Sequence, residues 1–320
     1  MRIVITDCDH ESIEEELAVA AASDVELVQA QCRTEDEVIE AARGADGILV
    51  QYAPITDRVL AALPGLKAIG RYGVGVDTVD VEAATARGVA VSNVPDYGTE
   101  DVSDHAIALV LSLVRGIVQL DHGMRAGQHV LTPIKPLHRV KDLVFGVVGM
   151  GRIGTATAAK ARSLGFTVLA CDPQLRFDAT GDRDVTVVEF DALLAQSDVI
   201  SVHVPLDPST RHLIDDTTLG QTKEGAILIN TCRGGVVDTA AVVRALQSGR
   251  LKGAGLDVFE EEPLPADHPL MSLPNTALTP HAAWYSEESY SELKRRTIEN
   301  VVDVCSGRTP RNILNSEVLS

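Results

Sequence analysis

The run Val147-Val148-Gly149-Met150-Gly151-Arg152-Ile153-Gly154 constrains this chain more than any other segment. It sets Gly-x-Gly-x-x-Gly behind an apolar run at 143–148 and ahead of an Ala-rich amphipathic stretch at 155–164. A second apolar run, 166–171, then ends on an acid, Asp172, followed by Pro173. Strand, glycine turn, helix and strand in that order make a βαβ unit, whose two strands lie parallel. Gly149 lets the chain turn sharply out of the strand, Gly151 lets the backbone approach a pyrophosphate, and Gly154 lets the helix pack close to the sheet. The helix N-terminus offers unpaired N–H groups and the positive end of its dipole to that phosphate. Asp172 falls where a carboxylate accepts hydrogen bonds from the ribose hydroxyls of an adenosine, which favours NAD over NADP. Arg176, four residues on, points the other way. A bare glycine motif arises easily in a chain with 25 glycines; the flanking strand, helix and acid turn it into a dinucleotide site.

The same rhythm runs through the whole chain. Short β-branched runs at 2–6, 26–30, 47–50 and 68–71 alternate with helical periodicity at 13–22, 35–42 and 56–63. After 143–148, strands are expected at 167–171, 199–202, 226–229, 253–256 and 276–278, with helices at 188–194, 217–219 and 238–247. Both halves therefore read as α/β, each a doubly wound parallel sheet. Two long helical patterns, 101–118 and 286–304, lack a partner strand and sit at the changeovers, as crossover helices do. That makes the first domain discontinuous: 1–99 plus 286–320, with 100–285 as an inserted Rossmann domain. The irregular stretch 127–142, with Pro133 and Pro136, reads as an arm for dimer contacts.

Composition limits the partners. With 28 basic against 46 acidic residues the net charge is −18, which repels nucleic-acid backbones and anionic lipid. Five scattered cysteines without Cys-x-x-Cys point to reduced thiols in a cytoplasm and to no metal. The N-terminus enters a strand at once, without a signal-peptide core, and no apolar run reaches membrane-span length.

Three further residues sit where chemistry is expected. Arg233, before Gly234-Gly235, follows the strand at 226–229; Glu262 follows 253–256; His281 follows 276–278. Taken singly, His281 reads as a structural loop residue and Glu262 as one acid of a solvated loop. Taken together, all three leave successive strands at the sheet edge that also carries Gly149, where open α/β sheets bind ligands.

The runs NTCRGG, GLDVFEEEP and TPHAAWYSE, with GRYGVGVDTVD upstream, resemble the D-isomer-specific 2-hydroxyacid dehydrogenase family over nearly the whole chain. PHAAWYSE is most similar to its C-terminal-binding-protein-like branch. The resemblance implies a discontinuous flavodoxin-like substrate domain, an inserted NAD-binding Rossmann domain and a homodimer formed through the latter. It implies that His281 protonates the keto oxygen of a small 2-keto acid, and that Glu262 hydrogen-bonds the far imidazole nitrogen and keeps His281 protonated. Glu260 and Glu261 are then solvated loop acids. Arg233 would hold the substrate carboxylate and carbonyl in its planar fork. Tyr72, Gly73 and Val74 would offer backbone N–H groups to the carboxylate, and the set Tyr52, Tyr72 and Trp284, lining the pocket, suggests a substrate side chain of apolar or hydrogen-bonding character. Around the cofactor the resemblance sets Val102, Arg152, Ile153, His203, Val204, Pro205, Thr231 and Cys232, with Asp257 on the nicotinamide carboxamide.

Two departures narrow the substrate. Phosphoglycerate dehydrogenases of the family carry basic residues in the first-domain loops, whereas Val50-Gln51-Tyr52-Ala53-Pro54 has none before Arg58. The chain also ends soon after its last helical pattern, with no appended regulatory domain. The expected activity is interconversion of a D-2-hydroxy acid and its 2-keto acid with NAD; the alternative is an NADH-sensing co-repressor-like binding protein.

Overall fold

A computed structural model describes residues 1–174 and 185–319; Arg176 lies outside them. The chain divides into two compact units, Met1–Gly98 with Ser286–Ser320, and Thr99–Tyr285.

The first unit holds a five-stranded parallel sheet ordered β2-β1-β3-β4-β5. Its strands are β1 (Arg2–Ile5), β2 (Glu26–Gln29), β3 (Gly47–Val50), β4 (Ala68–Arg71) and β5 (Ala90–Ser92). Helices α1 (Glu14–Ala22), α2 (Glu35–Ala41), α3 (Asp57–Ala62) and α4 (Val81–Ala86) make the crossovers. Strand order reverses between β1 and β3, so their C-terminal ends flank the switch point of a flavodoxin-like sheet. The caps are local. The Thr34 side chain accepts the Glu37 N–H while Glu37 reaches back to the Thr34 N–H, a reciprocal box that starts α2. Strand β5 and helix α4 exceed expectation: AVS is too short, and VEAATA too small-residued, to announce a period.

The second unit opens with α5 (Thr99–Val114) and α6 (Ile117–Arg125). A single helix was expected here, but Gly116 turns left-handed at φ +65° and the two helices bend by 62°. No single helix among the described residues is long and apolar enough to cross a membrane. Then come β6 (Val144–Val148), α7 (Arg152–Ser163), β7 (Thr167–Cys171), β8 (Thr186–Val187), α8 (Phe190–Gln196), β9 (Val199–Val202), α9 (Asp216–Gln221), β10 (Ala226–Asn230), α10 (Thr239–Ser248), β11 (Leu251–Leu256) and β12 (Thr276–Leu278). Strand order is β12-β11-β10-β9-β6-β7-β8, all parallel, so the sheet reverses between β6 and β9. Helix α11 (Glu287–Cys305) returns the chain to the first unit, where it packs against α1, β3 and β4.

Two apolar layers sandwich the seven-stranded sheet. Ala106, Val110 and Leu113 of α5 share one with Phe145, whose ring meets Phe166 edge to face at 5.3 Å. Leu193, Leu194, Val242 and Leu246 of α8 and α10 build the other. Burial on both faces is why these strands read as continuous apolar runs rather than alternating ones.

Candidate functional site

The glycine turn is built by close approach. The Gly149 N–H donates to the Cys171 carbonyl at 2.8 Å, with φ at +92°. A Cβ on Gly149 would stand 2.7 Å from the His203 carbonyl oxygen, and one on Gly154 only 2.0 Å from the Gly149 oxygen. Neither position accepts a side chain. Gly151, at the N-cap of the twelve-residue α7, faces open space, with nothing within 4 Å of a built Cβ. Arg152 at the head of α7 is exposed and Ile153 half-buried. Asp172 ends β7 and holds the turn itself: one carboxylate oxygen accepts the Met150 N–H at 2.7 Å, the other the Gln174 N–H at 2.8 Å. A carboxylate has about four acceptor positions, so it retains capacity for a ligand.

The neighbouring strand ends line the same edge. His203 follows β9, with Nε2 2.8 Å from the Ser201 hydroxyl, and burial pushes its pKa down to about 4. Val204 is half-buried and Pro205 exposed. After β10, the Thr231 hydroxyl is buried without a hydrogen-bond partner. The Cys232 thiol donates to Asn230 Oδ1 at 3.1 Å, and burial raises its pKa to about 11 against the lowering influence of Arg233. Val102 is buried in the first turns of α5. An open glycine cradle beside a helix start, with an orphaned hydroxyl two strands away, fits a dinucleotide. Among the described residues no group of three His, Cys, Asp or Glu side chains could hold a metal ion.

The three candidate residues Arg233, Glu262 and His281 follow β10, β11 and β12, which are neighbours in the sheet. Gly234 lies flush on the next loop, since a Cβ there would meet the Phe259 carbonyl group at 1.9 Å. Arg233 N-caps the 3-10 turn Gly234–Val236, and its Nη1 donates to the Cys232 carbonyl at 2.8 Å. Glu262 accepts the Phe259 N–H on Oε1 at 2.9 Å and faces His281 Nδ1 with Oε2 at 2.7 Å. Partial burial alone would raise the Glu262 carboxyl. The hydrogen bonds from His281 and Phe259, with the charges of His281 and Arg233, outweigh it and hold the carboxyl below its usual range. Both side chains of the pair stay 35% exposed.

Asp257, 1% exposed, anchors the His281 loop. Its backbone carbonyl accepts the His281 N–H at 2.7 Å; its carboxylate accepts Ala282 N–H on Oδ1 at 2.9 Å and Ala283 N–H on Oδ2 at 3.0 Å. These bonds offset the left-handed backbone of His281, φ +54°, a conformation costing a non-glycine residue about 1–2 kcal/mol.

Several expectations meet a different outcome. Tyr72 points its ring into the first unit: it is 2% exposed, donates to Glu16 Oε1 at 2.8 Å and meets the His10 ring edge-on at 4.6 Å. Its phenol is interior, not pocket lining. Gly73 is buried, Val74 is exposed, and Tyr52 is exposed with its N–H on Asp7 Oδ2 at 2.6 Å. Trp284 is half-buried, edge-on to Tyr285 at 5.6 Å. Glu260 is exposed as expected but is also engaged: it meets His212 Nε2 at 2.6 Å and accepts the Thr239 N–H at 2.9 Å, tying its loop to α10. Glu261 is exposed. Sequence reasoning missed His105, whose Nε2 lies 3.0 Å from Thr279 Oγ1. Its signal was present: an imidazole directly before the largely apolar run AIALVLSLV at 106–114.

The model of the D-isomer specific 2-hydroxyacid dehydrogenase NAD binding domain matches residues 107–283. A glyoxylate reductase of Korarchaeum cryptofilum is 40% identical over 286 residues, covering 88% of this chain and 86% of the relative. A D-3-phosphoglycerate dehydrogenase of Archaeoglobus fulgidus is 37% identical over 281 residues, covering 88% of this chain and 53% of that protein. Among solved structures, D-lactate dehydrogenase from Aquifex aeolicus complexed with NAD and lactic acid superposes with a TM-score of 0.86 at 28% identity, covering 98% of this chain and 99% of the other. The glycine turn, the order of the seven strands and these matches agree: the chain belongs to the D-isomer specific 2-hydroxyacid dehydrogenases, which are NAD-dependent enzymes.

Proposed function

We propose that this enzyme interconverts a short 2-keto acid and its D-2-hydroxy acid, with Arg233, Glu262 and His281 as the acting residues. The observation that carries the reading is the 2.7 Å pair between His281 Nδ1 and Glu262 Oε2, at the strand-end edge that also bears the glycine turn. NADH, when bound, supplies the hydride. His281 delivers one proton to the carbonyl oxygen through Nε2, while Glu262 on Nδ1 holds the ring in place and stabilises its cationic form. The Arg233 fork takes the substrate carboxylate and polarises the carbonyl. Gly149, Gly151, Arg152, Ile153 and Gly154 receive the pyrophosphate; Asp172 with Pro173 takes the ribose hydroxyls; His203, Val204 and Pro205 flank the adenine. Thr231, Cys232 and Val102 border the nicotinamide, and the last free acceptor position of Asp257 suits its carboxamide.

The substrate domain is 1–99 with 286–320, offering backbone N–H groups at Gly73 and Val74; Tyr72 supports that loop from the interior, while Tyr52 and, from the NAD-binding unit, Trp284 are the residues proposed to meet the substrate's side chain. A homodimer forms through the NAD-binding unit, where α6 has no buried residue and exposes Ile117 and Met124 beside Val130 and Leu131. Five free thiols suit a cytoplasmic location.

The deciding experiment is turnover of a panel with NADH: glyoxylate first, then hydroxypyruvate, pyruvate, phenylpyruvate, branched-chain 2-keto acids and 3-phosphohydroxypyruvate. Reduction of at least one unphosphorylated acid to its D-hydroxy product is expected. Tight NADH binding with no turnover of any of them would instead make the protein an NADH sensor.

A further inference from the structure

Hydrogen-bond direction links a residue on α5 to the loop that carries His281. Thr279 Oγ1 lies 2.6 Å from Asp257 Oδ1 and 3.0 Å from His105 Nε2. Asp257 Oδ1 already accepts the Ala282 N–H, so this carboxylate oxygen acts as an acceptor. A hydroxyl has one proton, and Thr279 gives it to Asp257. Only lone pairs then remain to meet His105, so Nε2 must carry a hydrogen and donate it. The direction runs His105 Nε2–H to Thr279 Oγ–H to Asp257, and it fixes the tautomer of His105.

The far end of this chain is the backbone of the loop. Asp257 takes the N–H groups of three consecutive residues, His281 on its carbonyl and Ala282 and Ala283 on its two carboxylate oxygens. Those bonds hold His281 at φ +54°. Asp257 Oδ1 is 3.7 Å from His105 Nε2, so Thr279 bridges two groups that do not bond directly. His105 is a quarter exposed.

We infer that His105 is a positioning residue: acting through Thr279 and Asp257, it fixes the left-handed loop that aims His281 at the substrate carbonyl. The inference rests on the reading of His281 as the proton donor. Removing the first donor frees the Thr279 hydroxyl to rotate, loosens Asp257 from the three N–H groups, and lets His281 relax toward the commoner backbone region. A displacement of about 1 Å in a reacting group costs about 100-fold in rate.

The test compares His105→Leu, His105→Gln, Thr279→Val and Thr279→Ser with wild type for kcat and KM on the best keto acid of the panel, and for NADH Kd by fluorescence titration. His105→Leu and Thr279→Val are expected to lower kcat about 10- to 100-fold, with KM within about threefold and a smaller loss of NADH affinity, since Asp257 is also proposed to meet the carboxamide. His105→Gln places an amide N–H near the same point and should recover most of the rate, as should Thr279→Ser with its retained hydroxyl. The double variant His105→Leu/Thr279→Val should be no slower than the slower single one, because both break one chain. Equal losses in His105→Leu and His105→Gln, or losses confined to NADH affinity, would overturn the inference. Thr279→Val is nearly isosteric, so it decides the matter if His105→Leu does not fold. His281→Ala in the same assay separates the two levels. If it turns over at the wild-type rate, the reading of His281 fails; if it is inactive while His105→Leu and Thr279→Val stay within twofold of wild type, only the positioning chain fails.

Discussion

Glu262 Oε2 stands 2.7 Å from His281 Nδ1, and the same carboxylate takes the Phe259 N–H on its other oxygen. The carboxylate is thus fixed by its own loop before it meets the imidazole, so the pair is preorganised. Glu262→Gln keeps a hydrogen-bonding group of nearly the same shape and removes the charge. We expect kcat to fall about tenfold or more, less than the 10²–10⁴ expected of His281→Ala. NADH affinity should stay near wild type in both. Stopped-flow rates of NADH oxidation check this, and a wild-type rate in Glu262→Gln removes the carboxylate from the mechanism.

Arg233 follows β10, the first of the three strands whose ends carry the proposed residues, and precedes two glycines. Arg233→Lys retains the charge but not the fork. The keto-acid KM is expected to rise about tenfold or more, the loss of one charge-assisted hydrogen bond. An unchanged KM would show that a point charge suffices and that the carboxylate is bound elsewhere.

Asp172 accepts the Met150 N–H as well as standing where the adenosine ribose is proposed to lie. Asp172→Ala should relax the preference for NADH over NADPH and also cost about 1 kcal/mol of stability by leaving that N–H unpaired. Asp172→Asn separates the effects, since its amide oxygen still accepts the N–H while the charge is gone. NADPH-dependent rates that do not improve relative to NADH in either variant would exclude the ribose role.

His203 has a pKa lowered to about 4 by burial, against 6.5 for a free imidazole. Between these values the unfolded chain binds a proton that the native chain does not. Stability therefore falls as pH drops from about 6.5 to about 4, and its slope against pH is positive there. His203→Gln lacks the titrating group, so urea midpoints measured from pH 7 to pH 4 should decline less steeply than in wild type. Parallel curves would show that His203 protonates in the native state.

Helix α6 exposes Ile117 and Met124, next to Val130 and Leu131, all more than half exposed. A second copy of the chain is the proposed cover. Light scattering should give a dimer for wild type and a monomer for Ile117→Asp/Met124→Glu; a monomeric wild type at micromolar concentration counts against the dimer.

Much of this molecule was legible one segment at a time. Gly149 and Gly154 are demanded by sterics within a few residues, and Asp172 by the end of the next strand, so a local pattern reveals them. Arg233, Glu262 and His281 could be assigned to one edge because every strand is parallel and the motif marks which edge binds. Short elements with little side-chain volume, β5 and α4, escaped because they carry no period to read. The break at Gly116 escaped because the apolar pattern runs on through it.

What the chain alone determined, then, is the pair of parallel α/β sheets, the dinucleotide turn and the strand ends where chemistry belongs, since these follow from periodicity and backbone sterics. Tertiary structure decided which polar atoms meet. His105 and Thr279 are 174 residues apart, Tyr72 and Glu16 are 56 apart, and Glu260 reaches His212 across 48. Hydrogen bonds depend on tenths of an ångström and on direction, and no spacing along the sequence encodes either. That is why Tyr72 turned inward, Glu260 became a tie between loop and helix, and His105 came to stand behind the residue that protonates the substrate in the mechanism proposed here.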